Sequence, residues 1–200
     1  MHVFGDQGDR RVYLRMLVHR CHRYSLNIFS YCLMTNHIHL VAVPENEDSL
    51  SNALRDTHGL YALYFNQKYD LTGHLWHGRF YACLLDDDHL WEAIRYVERN
   101  PVRAKIVEKA DLYPWSSAAA HCKLSDDPLL TEPPGSNLIP DWSSWLTLEE
   151  SNIQLKEIRE KTQTGRPYAC STFIDKLEAE TGRCLRPRKP GRKPSGTIGE

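Results

Sequence analysis

Alternation of apolar and polar side chains marks one stretch of the chain as a strand. In His37-Ile-His-Leu-Val-Ala-Val43, successive residues fall on opposite faces. His37 and His39 therefore share one face with Val41 and Val43, while Ile38, Leu40 and Ala42 share the other. Apolar residues on both faces suit an interior strand. The preceding run, 27–34, is rich in aromatic and aliphatic residues, and Thr35-Asn36 is a tight connection, so the two runs predict an antiparallel hairpin.

Upstream, Tyr13, Leu17 and Cys21 recur every fourth residue, with Met16 and Tyr24 widening the stripe, which predicts a helix over 9–24. Downstream, Pro44 and the polar run to Asp48 break the strand. Ser49 can cap a long helix ending near Tyr69. A loop over 70–78 leads to a predicted strand, 79–85. Asp86, Asp87 and Asp88 then open a helix whose stripe is Leu90, Ala93, Ile94 and Val97, with a break at Pro101. A short helix follows at 115–121. Residues 123–145 read as a linker, 146–161 and 171–181 as helices, and 183–200 as a basic, disordered tail. The expected organisation is a domain over 1–122, the linker 123–145, a small helical region 146–182, and the tail.

Composition narrows the class. The 200 residues are 41% hydrophobic and 26% charged, enough for a real core in a soluble protein. The net charge of −1 hides an asymmetry, since 183–193 carries Arg183, Arg186, Arg188, Lys189, Arg192 and Lys193 and no acid. No apolar run approaches a membrane span, and the start is not a signal peptide. Six scattered cysteines without a C-x-x-C fit reduced thiols and a cytoplasmic location.

Four stretches could carry chemistry. His37 and His39 lie roughly 7 Å apart along one strand face, close enough for two imidazoles to meet one metal ion. Structural histidines are the plain alternative. Tyr96 and Asn100 are stacked one helical turn apart; alternatively they are a half-buried tyrosine and a helix-ending asparagine. The loop with His74, Trp76, His77 and Arg79 can hold phosphates and stack a base, or plug a core edge with its aromatic ring. The tail suits a polyanion or is a solvated charge cluster. A metal hydrolase using His37, His39 and Asp86 to Asp88 is a further alternative.

Together, YCLMTNHIHLVAVPE (31–45), GHLWHGRF (73–80), RYVERNPVRA (95–104), YPWSS (113–117) and the stretch 164–193 resemble the single-tyrosine HUH transposases. The resemblance is to their REP-associated tyrosine transposase branch. It implies an α+β, ferredoxin-like antiparallel sheet with helices on one face, of order β-α-β-β-α-β, although no first strand can be assigned before the first helix. It implies that His37 and His39 bind a divalent metal, Mg²⁺ or Mn²⁺, with Asn100 as a further ligand, and that Tyr96 is the nucleophile. Tyr61, Tyr64 and Tyr81 are fallback nucleophiles. The implied partner is single-stranded or hairpin DNA, in a nucleoid-associated protein that acts as a monomer or homodimer. DNA contacts would come from His74, Trp76, His77, Arg79, Arg103 and the basic tail. The rival within the same fold is a non-catalytic nucleic-acid-binding regulator.

Overall fold

The structure is a computed structural model that describes residues 2–187. Asp6 caps the first helix, α1 (Gln7–Arg23), in a reciprocal capping box with Asp9. Burial works to raise the pKa of Asp9, but Lys68, Tyr69 and the Gly5 and Asp6 amides outweigh it and hold the carboxyl at about 2. Strands β1 (Leu26–Leu33) and β2 (Ile38–Pro44) form the expected antiparallel hairpin, with Cys32 opposite His39. The next helix is α2 (Ser49–Tyr69). Ser49 is its first residue rather than its cap, and its hydroxyl accepts from the Asn46 amide.

A bulge at Phe29 sets the two faces of the hairpin. The register shifts between Ile28 and Ser30, so the inward parity of β1 changes there. Leu26, Ile28, Tyr31 and Leu33 join Tyr13, Leu17, Tyr61 and Phe65 in a core beneath α1 and α2. Phe29, Cys32, Met34 and Val41 build a second core on the other face with Ala93, Ile94 and Val97 of α3 (Asp87–Glu98). The fold is thus α+β, a ferredoxin-like arrangement lacking strands, with α1 and α2 on one face. The other face carries α3, where the sequence had suggested helices on one side alone.

The predicted strand over 79–85 does not form. That stretch makes one isolated bridge, between Leu85 and Tyr168, and exposes Phe80, Tyr81 and Leu84. A continuous apolar run has the residues of a strand but becomes one only where it lies along a sheet edge, and this stretch is packed along none. The outer edge of β2 is likewise without backbone partners among the described residues. The outer edge of β1, in contrast, is closed. Trp115 O accepts from Leu33, Ser117 donates to Tyr31 O, and Thr131 donates to Ile28 O.

Pro101 interrupts the helix without ending the helical path. After α3 and a turn at Arg99 comes a single turn, α4 (Asn100–Arg103), with Pro101 at its start, where a missing N–H breaks no helical bond. Short helices α5 (Ala118–His121) and α6 (Trp142–Trp145) precede α7 (Asn152–Thr164) and α8 (Ser171–Thr181). The stretch 123–145 is pinned along its length: Asp127 accepts from the Tyr31 hydroxyl at 2.6 Å, and Trp142 is buried.

Glu98 fastens these pieces together. Its fully buried carboxylate accepts from His121 Nδ1 at 2.6 Å, Trp142 Nε1 at 2.9 Å and the Ser117 hydroxyl, with Ser30 Oγ at 3.4 Å. Removing it strands several buried donors at once. Glu98→Ala is expected to cost about 3 kcal/mol or more, read as a lowered denaturant midpoint with an unchanged slope.

Candidate active site

The alternation of β2 directs His39 onto the face that α3 covers. His37 stands just before the strand, exposed, with its Nδ1 2.7 Å from Asn36 Oδ1. The two imidazoles meet edge to face, with centroids 4.9 Å apart. From α3, the ring of Tyr96 approaches His39 edge to face at 5.7 Å. Strand and helix therefore meet at one point on the α3 side of the hairpin: a histidine pair and a tyrosine, brought together by the packing of α3 on β2.

Behind Tyr96 lies a buried charge cluster. The Arg103 guanidinium stacks over the Tyr96 ring at 4.2 Å and also donates to the Tyr96 carbonyl, which the break before Pro101 leaves without an ordinary helical donor. Arg103 pairs with Glu150 Oε1 at 2.9 Å, while the other Glu150 oxygen pairs with Arg99 Nε at 3.0 Å. Arg99 also donates to the Leu146 and Leu148 carbonyls, both at 2.7 Å. Burial lowers the Arg103 pKa, opposed by the nearby Glu150 and Tyr96, yet an arginine keeps its charge at any ordinary pH.

The histidines are tuned towards the neutral form. Desolvation, helped by His37 and Arg103, takes His39 down to about 3, and desolvation also lowers His37. Neutral imidazole is the form that binds metal, and the Asn36 contact fixes the His37 ring through one nitrogen, leaving the other available. The donor set thus fits part of a divalent-cation site. Among the described residues no group of three His, Cys, Asp or Glu side chains could hold a metal by itself. Further ligands would have to come from an amide such as Asn100, from water or from a substrate.

Residues 1–100 match the family described as "Transposase IS200 like", a span that contains His37, His39, Tyr96 and Asn100. The chain belongs to the IS200-like transposase family. A Haemophilus influenzae protein named "Putative REP-associated tyrosine transposase" is 30% identical over 109 residues, covering 48% of this chain and 61% of that protein. The chain thus spans 61% of the length of that curated relative. No solved structure matches it.

In this IS200-like chain the other candidates fall elsewhere. Asp86 caps the far end of α3, accepting from the His89 and Cys170 amides. It lies ten residues before Tyr96 in the sequence, about 15 Å along the helix. The metal hydrolase built on Asp86 to Asp88 is therefore not assembled. Tyr61 is buried and donates to Val3 O, and Tyr64 donates to Asp9, both from α2 on the other side of the hairpin; Tyr81 is exposed. Trp76 is part of the α1/α2 core, stacked on His58 at 4.3 Å and donating to its carbonyl, which makes it an anchor. His74, His77 and Arg79 around it are exposed.

Arg186 is held by Asp175 at 2.7 Å and Glu178 at 2.6 Å, so its charge is already matched within the chain, while Arg183 is exposed. Arg188, Lys189, Arg192 and Lys193 lie outside the described residues. Arg99 and Glu150 went unrecognised in the sequence. Arg99 and Arg103, four apart beside a proline, carried a faint signal; Glu150, in a polar stretch, carried none.

The depressed histidine carries a pH signature. An unfolded histidine takes a proton near pH 6.5, whereas folded His39 refuses one until about 3. The unfolded chain then binds more protons across that window, so this contribution to stability is complete above pH 6.5 and is lost as pH falls. In chelator, unfolding free energy against pH should be less steep for His39→Gln than for the parent between pH 6.5 and 4. The difference should be at most about 1.4 kcal/mol per pH unit. Parallel curves would contradict a desolvated His39.

Proposed function

We propose that this chain cleaves and rejoins single-stranded or hairpin DNA, with Tyr96 as nucleophile and a divalent ion at His37 and His39. The observation that carries the reading is the approach of the Tyr96 ring to His39, within a chain of the IS200-like transposase family. The name of the Haemophilus influenzae relative points the same way.

In the proposed reaction the Tyr96 Oη attacks a backbone phosphorus. A bond forms from Oη to phosphorus, and the bond from phosphorus to the 3′ oxygen breaks. The 5′ side stays on the protein as a phosphotyrosine, and the 3′ oxygen leaves as a hydroxyl, taking up a proton as Oη loses one. The linkage keeps the phosphodiester's energy for rejoining. A divalent ion supplies charge stabilisation of the phosphate oxygens. His37 and His39 would hold it, with the Asn100 amide as a further ligand, and both imidazoles are suited to this by remaining neutral.

Arg103 takes a different role from the DNA contact expected of it. Stacked on the ring, bonded to the Tyr96 carbonyl and tied to Glu150, it positions the nucleophile and sets a fixed cation over the ring whose hydroxyl must ionise. Substrate contacts would fall to exposed groups such as His74, His77, Arg79 and Arg183, with the basic residues beyond 187 as further candidates.

A second reading is a non-cleaving DNA-binding regulator of the same fold. The edge of β2 beside His39, which has no backbone partner among the described residues, favours it. Denaturing electrophoresis of protein incubated with hairpin DNA and Mg²⁺ or Mn²⁺ separates the two. The proposal expects covalent adducts that vanish in Tyr96→Phe, while hairpin binding stays within about twofold. Adducts undiminished in the variant would overturn Tyr96 as nucleophile, and none from the parent would favour the regulator.

A further inference from the structure

The connection between β1 and β2 is held more firmly than a surface turn requires. It spans 34–37, between the paired residues Leu33 and Ile38. The Leu33 carbonyl accepts from the Tyr113 hydroxyl at 2.8 Å, and the Thr35 carbonyl accepts from the Val3 amide at 3.0 Å. The Val3 carbonyl in turn accepts from the buried Tyr61 hydroxyl at 2.7 Å. Tyr113 belongs to the core on the α3 side of the hairpin, and Val3 and Tyr61 to the core beneath α1 and α2. A turn ordinarily moves more than the strands it joins; this one is tied to both cores. Its fixed backbone presents two exposed side chains, Asn36 and His37.

Those two side chains are bonded to each other, with Asn36 Oδ1 2.7 Å from His37 Nδ1. An amide oxygen can only accept, so the proton of a neutral His37 sits on Nδ1 and the lone pair on Nε2. Without that contact an exposed imidazole shares its proton between both nitrogens and turns about its side-chain bonds. The two candidate ligands are thus placed by different means. His39 is seated by packing, desolvated and edge to face with the Tyr96 ring at 5.7 Å. His37 has the edge of His39, at 4.9 Å, and the hydrogen bond from its neighbour. A partner of this kind orients a ligand without touching the metal, and its loss typically costs roughly 10–100-fold in metal affinity.

We propose that Asn36 is a positioning residue of the metal site: its amide oxygen holds His37 as the Nδ1–H tautomer, so that Nε2 is the atom offered to the ion. The role at a metal rests on the function proposed above; the tautomer of the ring does not. The effect of Asn36 passes entirely through His37. The proton count of the ring stays the same, and what Asn36 sets is which nitrogen carries the proton.

The test compares the full chain with Asn36→Ala, which removes the acceptor, and Asn36→Asp, which keeps it, each matched to the parent by circular dichroism. Nitrogen NMR of the imidazoles in chelator at about pH 8, where histidine is neutral, reads the tautomer. The His37 signals are identified by their loss in His37→Gln. The parent and Asn36→Asp should show the proton on Nδ1, and Asn36→Ala a mixture of both tautomers. Mn²⁺ affinity, followed by the electron paramagnetic resonance of the free ion, should fall roughly 10–100-fold in Asn36→Ala and stay within about threefold of the parent in Asn36→Asp. A parent with the proton on Nε2 would overturn the proposal. So would an Asn36→Ala variant that binds Mn²⁺ as the parent does, or an Asn36→Asp variant as weak as Asn36→Ala. A parent that binds no Mn²⁺ would reject the metal site proposed above, and the tautomer measurement would still decide whether Asn36 sets the ring.

Discussion

The burial of Glu98 is the constraint on which the rest of the structure turns. One carboxylate, with no solvent exposure, collects donors from α5, from α6 and from the segment that closes the edge of β1. An acid so placed is tolerable only if every lone pair is used, so it fixes its donors as firmly as they fix it. Tyr96 is two residues earlier on the same helix. The position of its ring against His39 is therefore set by a polar knot on one side and by Ile94 and Val97 packing on the sheet on the other.

A second ring of constraints acts on Tyr96 from behind. Glu150 neutralises Arg99 and Arg103 together, and Arg103 gives its Nη2 and its planar face to Tyr96. Residues 146–150 are thereby joined to the helix that bears Tyr96 through charge as well as through packing. Buried clusters of this kind add little net stability but penalise any other arrangement. The site thus has a rigid helix side, while the strand side, with β2 unpaired on its outer edge among the described residues, has less to hold it.

Local pattern made much of this legible. Alternation over 37–43 put both histidines on one face, and the 3.6-residue periodicity of the stripe through Ile94 and Val97 located the helix that bears Tyr96. What it could not reveal was whatever depends on a distant partner. The run 79–85 has strand chemistry but is not laid along a sheet edge, so it forms one isolated bridge at Leu85. Trp76, whose exposed neighbours suggested a stacking platform, found His58 and the core. Arg186 found Asp175 and Glu178. The bulge at Phe29, which switches the residues facing the α1/α2 core from Leu26 and Ile28 to Tyr31 and Leu33, has no glycine or proline to announce it.

The central claim, that Tyr96 is the residue to which DNA becomes linked, can be read chemically. After reaction with a hairpin oligonucleotide and Mn²⁺, nuclease and trypsin digestion should leave the peptide Tyr96–Arg99, bounded by Arg95 and Arg99, carrying a 5′-phosphonucleotide detectable by mass spectrometry. Recovery of the nucleotide on a peptide containing Tyr61, Tyr64 or Tyr81, with Tyr96–Arg99 unmodified, would contradict the account.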